Sequence, residues 1–179
     1  MAHQRHNIGF MALDAVAHKQ SFSPWRQRFK GLVAEGQVGG QKVLALKPMT
    51  YMNASGESVQ AAAAFYKIPA DAILVFHDEL DLVPGKVRVK RGGGAAGHNG
   101  LRSIDRQLGT PNYWRIRLGI GHPGSKERVL GYVLGDFSRP DQEWLSPLLA
   151  ALADAAALLA ESQVEAFMTR IALLTQGTP

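Results

Sequence analysis

Ile73-Leu74-Val75-Phe76-His77-Asp78-Glu79-Leu80-Asp81-Leu82 decides the fold. Four consecutive apolar residues have strand length, and an unbroken apolar run suits a strand buried on both faces of an α/β sheet. The run ends at His77 and Asp78. These residues therefore stand at the strand's carboxyl end, where open α/β sheets bind ligands.

Downstream, Val83-Pro84-Gly85 leads into Lys86-Val87-Arg88-Val89-Lys90, whose strict alternation puts three cations on one strand face and two valines on the other. Arg115-Ile116-Arg117-Leu118-Gly119-Ile120 repeats the pattern. If both strands share a sheet face, like charges crowd together, which favours an anion lying over them. Solvated edge strands are the alternative. Between them lies Arg91-Gly92-Gly93-Gly94-Ala95-Ala96-Gly97-His98-Asn99-Gly100-Leu101. Leu101, Ile104 and Leu108 then predict a helix over 100–108, closed by Gly109 and Pro111, with His98 and Asn99 at its amino end. Gly121 to Gly124 reads as a loop, 129–134 as a short apolar segment, and 141–176 as two helices broken near Gln163.

Upstream, a helix over 57–66 follows Lys47-Pro48-Met49-Thr50-Tyr51-Met52-Asn53-Ala54-Ser55-Gly56, with Ser55 or Asn53 as candidate caps. Residues 32–35 and 43–46 are strand candidates in a hairpin turned at Gly36 to Gly40. Residues 21–31 read as an exposed loop, and 8–19 as a helix with Ile8, Met11, Leu13, Ala15 and Val16 on one side. An α/β domain usually places a strand ahead of such a helix, and four residues before Arg5 leave no room for one.

At 179 residues, a single domain spanning 1–179 can bury about two-thirds of its unfolded surface. The chain has no cysteine, which excludes a disulfide framework and thiolate zinc sites and fits a cytoplasmic home. Lys and Arg outnumber Asp and Glu by 20 to 15, which suits an anionic partner such as nucleic acid. Asp14 and the early histidines argue against a secretory signal. The alanine-rich stretch 148–159 is interrupted by Asp154 and is short for a bilayer span.

The glycine cluster Gly92 to Gly97 formally matches G-x-G-x-x-G, but its strand is short and charged. About twenty residues on stands Arg117 instead of an acidic ribose ligand. A metal site drawn from His6, His77, Asp78, Asp81 and His98 is conceivable but lacks HExxH-type spacing. A serine elbow, G-x-S-x-G, is missing. What remains is a histidine base oriented by a carboxylate: the carboxylate fixes the tautomer, leaving the other ring nitrogen to take a proton from water. Asparagine amides can hold a substrate carbonyl or a developing oxyanion. Which histidine meets Asp78 stays open at this level.

Five blocks in order carry a resemblance: Arg5-His6-Asn7-Ile8-Gly9-Phe10, Lys47 to Gly56, His77 to Leu82, Gly92 to Leu101, and Arg115 to Gly124. Together they resemble the bacterial peptidyl-tRNA hydrolase family, from Arg5 to about Phe137. The resemblance implies a single-domain three-layer α/β/α sandwich with a mixed sheet. It further implies an esterase that frees tRNA from peptidyl-tRNA, acting in the cytoplasm as a monomer without metal, other cofactor or membrane. Carried over by position, His6 is the catalytic base and Asp78 orients it. Asn53 and Asn99, with Tyr51 and Met52, bind substrate. Arg88, Lys90 and Arg117 contact tRNA phosphates, with Lys86 and Arg115 as further candidates.

The family also places a buried central strand and a Gly-Leu-Gly-Asn-Pro-Gly loop ahead of the Arg-His-Asn block. We therefore expect the sheet here to lack its first strand and the site to lack one asparagine. Buried backbone groups left without partners would cost about 1–3 kcal/mol each. Two other functions stay open: a tRNA-binding domain impaired in catalysis, and a metallohydrolase using His6, His77 and Asp78.

Overall fold

The computed structural model describes residues 3–176. A 3-10 turn, Arg5–Asn7, opens into α1 (Ile8–Lys19). Strands β1 (Arg26–Arg28), β2 (Gly31–Val38) and β3 (Gln41–Pro48) form an antiparallel sheet in that order. Then come α2 (Ser55–Tyr66), β4 (Leu74–Glu79), β5 (Val87–Arg91), α3 (Asn99–Leu108) and β6 (Trp114–Gly119). Helices α4 (Val129–Leu134), α5 (Gln142–Ala160) and α6 (Val164–Leu174) follow. The second sheet has the order β4-β6-β5 and is mixed, with β4 parallel and β5 antiparallel to β6.

Alternation along β6 makes the layers. Ile116 and Leu118 face a core built with Ile8 and Ala12 of α1, Leu148 and Leu152 of α5, and Phe167 of α6. On the opposite side, Leu101 and Ile104 of α3 pack with Tyr113, Ile73 and Val75. Helix α3 ends at Gly109, whose φ of 74° supplies the left-handed residue that closes it. The two terminal helices break at Gln163, as the sequence predicts. Helix α5 is longer than the alanine-rich stretch suggests and is apolar enough to cross a membrane by length and composition. Leu145, Leu148, Leu152, Ala155 and Leu159 instead place its apolar side in the core.

The β-structure is divided in two. Strand β3 pairs with β2 and β4 pairs with β6, and among the described residues no strand lies between β3 and β4. The α/β fold thus has the mixed sheet expected, β4-β6-β5, with a separate antiparallel sheet, β1-β2-β3, across a cavity of about 420 Å³. Val43, Leu44 and Leu46 line it from β3, Val75 and Phe76 from β4, and Val59 from α2. Consequently Leu74 is 39% exposed and the apolar half of β4 is not buried on both faces.

Two local expectations also change. Residues 26–28 form a strand, because a two-residue turn at Phe29 and Lys30, with φ of 55° and 57°, folds them onto β2. Such turns normally carry Asn or Gly, and neither Phe29 nor Lys30 signals one. Neither Ser55 nor Asn53 caps α2: Ser55 is its first residue and its hydroxyl donates to the Met52 carbonyl, while Asn53 lies in a 3-10 turn over 52–54.

Candidate active site

Helix α1 lies directly on β4 because Gly9 has no side chain: a Cβ there would collide with the Phe76 carbonyl oxygen. That close approach brings His6, three residues earlier, to the carboxyl end of β4. His6 Nδ1 and Asp78 Oδ2 are 2.7 Å apart. The other oxygen, Oδ1, is 2.8 Å from His98 Nε2.

The tautomers follow from the partners. His98 Nδ1 accepts the Leu101 N–H at 3.2 Å as the amino-terminal cap of α3, so its proton sits on Nε2 and is donated to Asp78. His6 donates from Nδ1 to the same carboxylate, which in its neutral form leaves Nε2 with a lone pair. His77 donates from Nδ1 to the Asp78 carbonyl at 2.9 Å, and its buried Nε2 has no partner among the described residues. The rings of His6 and His77 each stand 5.3 Å from that of His98.

Electrostatics separate the three groups. The Asp78 side chain is 4% exposed, and burial alone would raise its pKa. Hydrogen bonds from His6 and His98 outweigh that and hold it well below the usual carboxylate range. Burial likewise pulls the His6 pKa down, but the hydrogen bond and charge of Asp78 push it above 6.5. His77 is lowered to about 4, first by burial and then by neighbouring His98. A poised base, a fixed anion and a silent neutral histidine therefore share one strand end.

His6, Asp78 and His98 offer ligand atoms within 4.8 Å of one another, so among the described residues they are the ones that could hold a metal. Their contacts of 2.7 and 2.8 Å are hydrogen-bond lengths. Ligands about 2.0 Å from a tetrahedral zinc stand roughly 3.3 Å apart, so the arrangement would have to open to admit one.

The asparagines are brought together by a second close approach. Gly56 of α2 meets the Ser103 carbonyl of α3, and its N–H donates to Ser103 Oγ at 2.8 Å. This docks the 52–54 turn on the start of α3, where Met52 sulfur lies beside Gly100 and His98. Asn53 and Asn99 are both exposed, and Tyr51 is 87% exposed.

The basic strands meet on one face: Arg88 lies opposite Arg117 and Lys90 opposite Arg115. Their environments differ. Arg115 is 1% exposed, with its guanidinium on the Gly94 carbonyl at 2.6 Å and Asp105 at 3.0 Å. It braces the glycine loop and is not available to a phosphate, contrary to its place among the sequence candidates. Arg117 pairs with Glu79 at 2.9 Å and is partly exposed, whereas Arg88 is exposed. Lys86 is also exposed.

Sequence reasoning placed His98 only at the amino end of α3 and among conceivable metal ligands; it caps α3 and also completes Asp78. Its amino-terminal position beside Asn99 was the available signal. Arg5 was missed altogether. His122 accepts the Gly124 N–H at 3.0 Å within its loop.

A sequence profile described as peptidyl-tRNA hydrolase matches residues 1–178. The chain is 74% identical over 175 residues to a Granulibacter bethesdensis protein named peptidyl-tRNA hydrolase, covering 98% of this chain and 90% of that one. An Acidiphilium cryptum protein of the same name is 67% identical, with 99% and 93% covered. Among solved structures, peptidyl-tRNA hydrolase from Acinetobacter baumannii superposes with a TM-score of 0.88 at 44% identity, covering 95% of this chain and 87% of that one. A peptidyl-tRNA hydrolase complex with N-propanol gives a TM-score of 0.90 at 42% identity, with 99% and 89% covered.

Proposed function

The chain belongs to the peptidyl-tRNA hydrolase family, and from that premise we propose how its site performs the reaction. The chemistry is hydrolysis of the ester that joins a peptide to tRNA, giving free tRNA and free peptide. His6 Nε2 takes a proton from water as the water oxygen attacks the ester carbonyl carbon. The bond to the ribose oxygen then breaks, and the His6 imidazolium returns the proton to that oxygen. Asp78 holds the His6 tautomer and offsets the imidazolium charge. The observation that carries this reading is the 2.7 Å contact between His6 Nδ1 and Asp78 Oδ2 beneath an unprotonated Nε2.

Asn53 and Asn99 bind the peptide backbone next to the ester, flanked by Tyr51 and Met52. Arg88 and Lys90 meet tRNA phosphates, with Arg117 behind them in its pair with Glu79. Phosphate contacts position without reading sequence, which suits a substrate class spanning many tRNAs. The enzyme acts as a cytoplasmic monomer and uses no metal.

Release of free tRNA from an N-blocked aminoacyl-tRNA, with chelator present, tests the proposal. His6→Ala should lower turnover roughly 10²- to 10⁴-fold, the usual contribution of a positioned base. Unimpaired turnover by that variant would refute the assignment. A second reading, tRNA binding without turnover, draws on the cavity beside β4. It predicts salt-sensitive tRNA retention with the ester intact.

A further inference from the structure

His6 sits in a three-residue 3-10 turn that has no side-chain cap, so something besides Asp78 must fix it. The neighbouring residue does so. Arg5 Nη2 donates to Asp141 Oδ2 at 3.2 Å, and Nη1 donates to the Tyr132 carbonyl at 3.3 Å. Its guanidinium lies 4.3 Å from the Tyr132 ring centre and 5.7 Å from that of Phe137. The main chain adds an Arg5 N–H to Gly135 carbonyl bond at 3.0 Å, a Phe137 N–H to His3 carbonyl bond at 3.0 Å, and a bridge between Gln4 and Asp136.

The far end of this clamp is itself anchored. Asp141 Oδ2 accepts from Ser138 N–H at 2.7 Å and Ser138 Oγ at 2.9 Å, and Oδ1 accepts from Trp144 Nε1 at 3.2 Å. Tyr132 donates its hydroxyl to the Ile120 carbonyl, just beyond β6. Arg5 therefore ties the turn that carries His6 to the start of α5 and the end of α4. With side chains only 16% and 22% exposed, the Arg5–Asp141 pair is less screened than a surface pair.

We propose that Arg5 is a positioning residue, anchored on Asp141 and Tyr132, that sets the His6 imidazole against Asp78. The claim rests on the hydrolase reading for its kinetic consequence and on geometry alone for its structural one. A guanidinium is suited to the task because its planar fork binds two acceptors while its face stacks on an aromatic ring. Lysine keeps the charge and loses both the fork and the stack.

The test uses Arg5→Lys and Asp141→Asn, each read by steady-state hydrolysis of N-blocked aminoacyl-tRNA across pH and by ¹⁵N NMR titration of His6. Arg5→Lys should lower kcat about ten- to a hundredfold, as expected for slight misplacement of a base, with KM held within about twofold. The acid limb and the His6 titration should both move to lower pH, because His6 loses part of its contact with Asp78. Asp141→Asn should act in the same direction more weakly, and the double variant should be no worse than Arg5→Lys alone. A fall in Tm with kcat, acid limb and His6 titration unchanged would overturn the proposal, since it would make Arg5 merely structural. If Arg5→Lys does not fold, Asp141→Asn gives the same readouts. Should the parent chain show no turnover, the hydrolase reading fails, while the His6 titration in the variants still decides the positioning claim.

Discussion

The two halves of β4 invert the usual relation between residue character and burial. Leu74, Val75 and Phe76 are apolar but exposed or half-buried along a cavity, whereas His77 and Asp78 are polar yet buried. Neighbours, not side-chain polarity, set burial in this strand. The carboxyl half is wrapped by the His6 turn, the start of α3 and β6. The amino half has β6 on one edge and open space on the other. Polar groups can be buried at the first end because nearly every donor and acceptor is matched.

Substitutions at either end of β4 test this contrast. The largest effect should come from Asp78→Asn, which removes the anion that two histidines share. We expect turnover to fall roughly 10³-fold, about 4 kcal/mol of transition-state stabilisation, with a far smaller change in tRNA binding. Parallel turnover and filter-binding measurements check this. Gly9→Ala should follow, since its Cβ would strike the Phe76 carbonyl and lift α1 from the middle of β4. A stability loss of about 3 kcal/mol is expected by urea unfolding, as for severe overpacking, together with lower turnover.

The buried histidine supplies a pH signature. His77 titrates near 4 when folded and near 6.5 when unfolded, so the unfolded chain takes up the proton first as pH falls. Its contribution is complete above pH 6.5 and is lost between pH 6.5 and 4, on the order of 3 kcal/mol. His6 acts oppositely: its raised pKa contributes stability that is fully present below the unfolded histidine value and lost as pH rises through the folded one. Asp78, held low, contributes above the unfolded carboxylate pKa and loses its contribution only at lower pH. His77→Gln should therefore flatten the slope between pH 6.5 and 4 in urea unfolding series.

The smallest effect tests the open half. The cavity of about 420 Å³ leaves the apolar side chains that line it without packing partners on one side. Ala63→Leu, on the α2 wall, should stabilise the chain by about 1–2 kcal/mol by filling part of it. The same change at Ala155, in the packed core, should destabilise by about 1–3 kcal/mol. Thermal unfolding should give opposite signs for the two variants; equal destabilisation would contradict room for a larger side chain beside β4.

Much of this was legible from residue order. Alternation in β5 and β6 placed Arg88, Lys90, Arg115 and Arg117 on one face, and the end of the apolar run at His77 placed Asp78 at a strand terminus. Pairing across long separations was not legible. The sequence could not say that Asp105, ten residues away, would neutralise Arg115, or that Arg5 would reach across 136 residues to Asp141. Nor could it assign the second oxygen of Asp78 to His98, because that bond depends on how α3 starts. The hairpin turn at Phe29 and Lys30 was hidden because neither residue favours positive φ.

The central claim is that the buried polar end of β4 sets the proton affinity of His6. The pH dependence of kcat/KM, measured beside a ¹⁵N titration of His6 in the parent and in Asp78→Asn, tests it most directly. The parent's acid limb should coincide with the His6 titration, above the ordinary imidazole value, and both should move to lower pH in Asp78→Asn. A parent His6 titrating below 6.5, or an acid limb unmoved by the substitution, would contradict it.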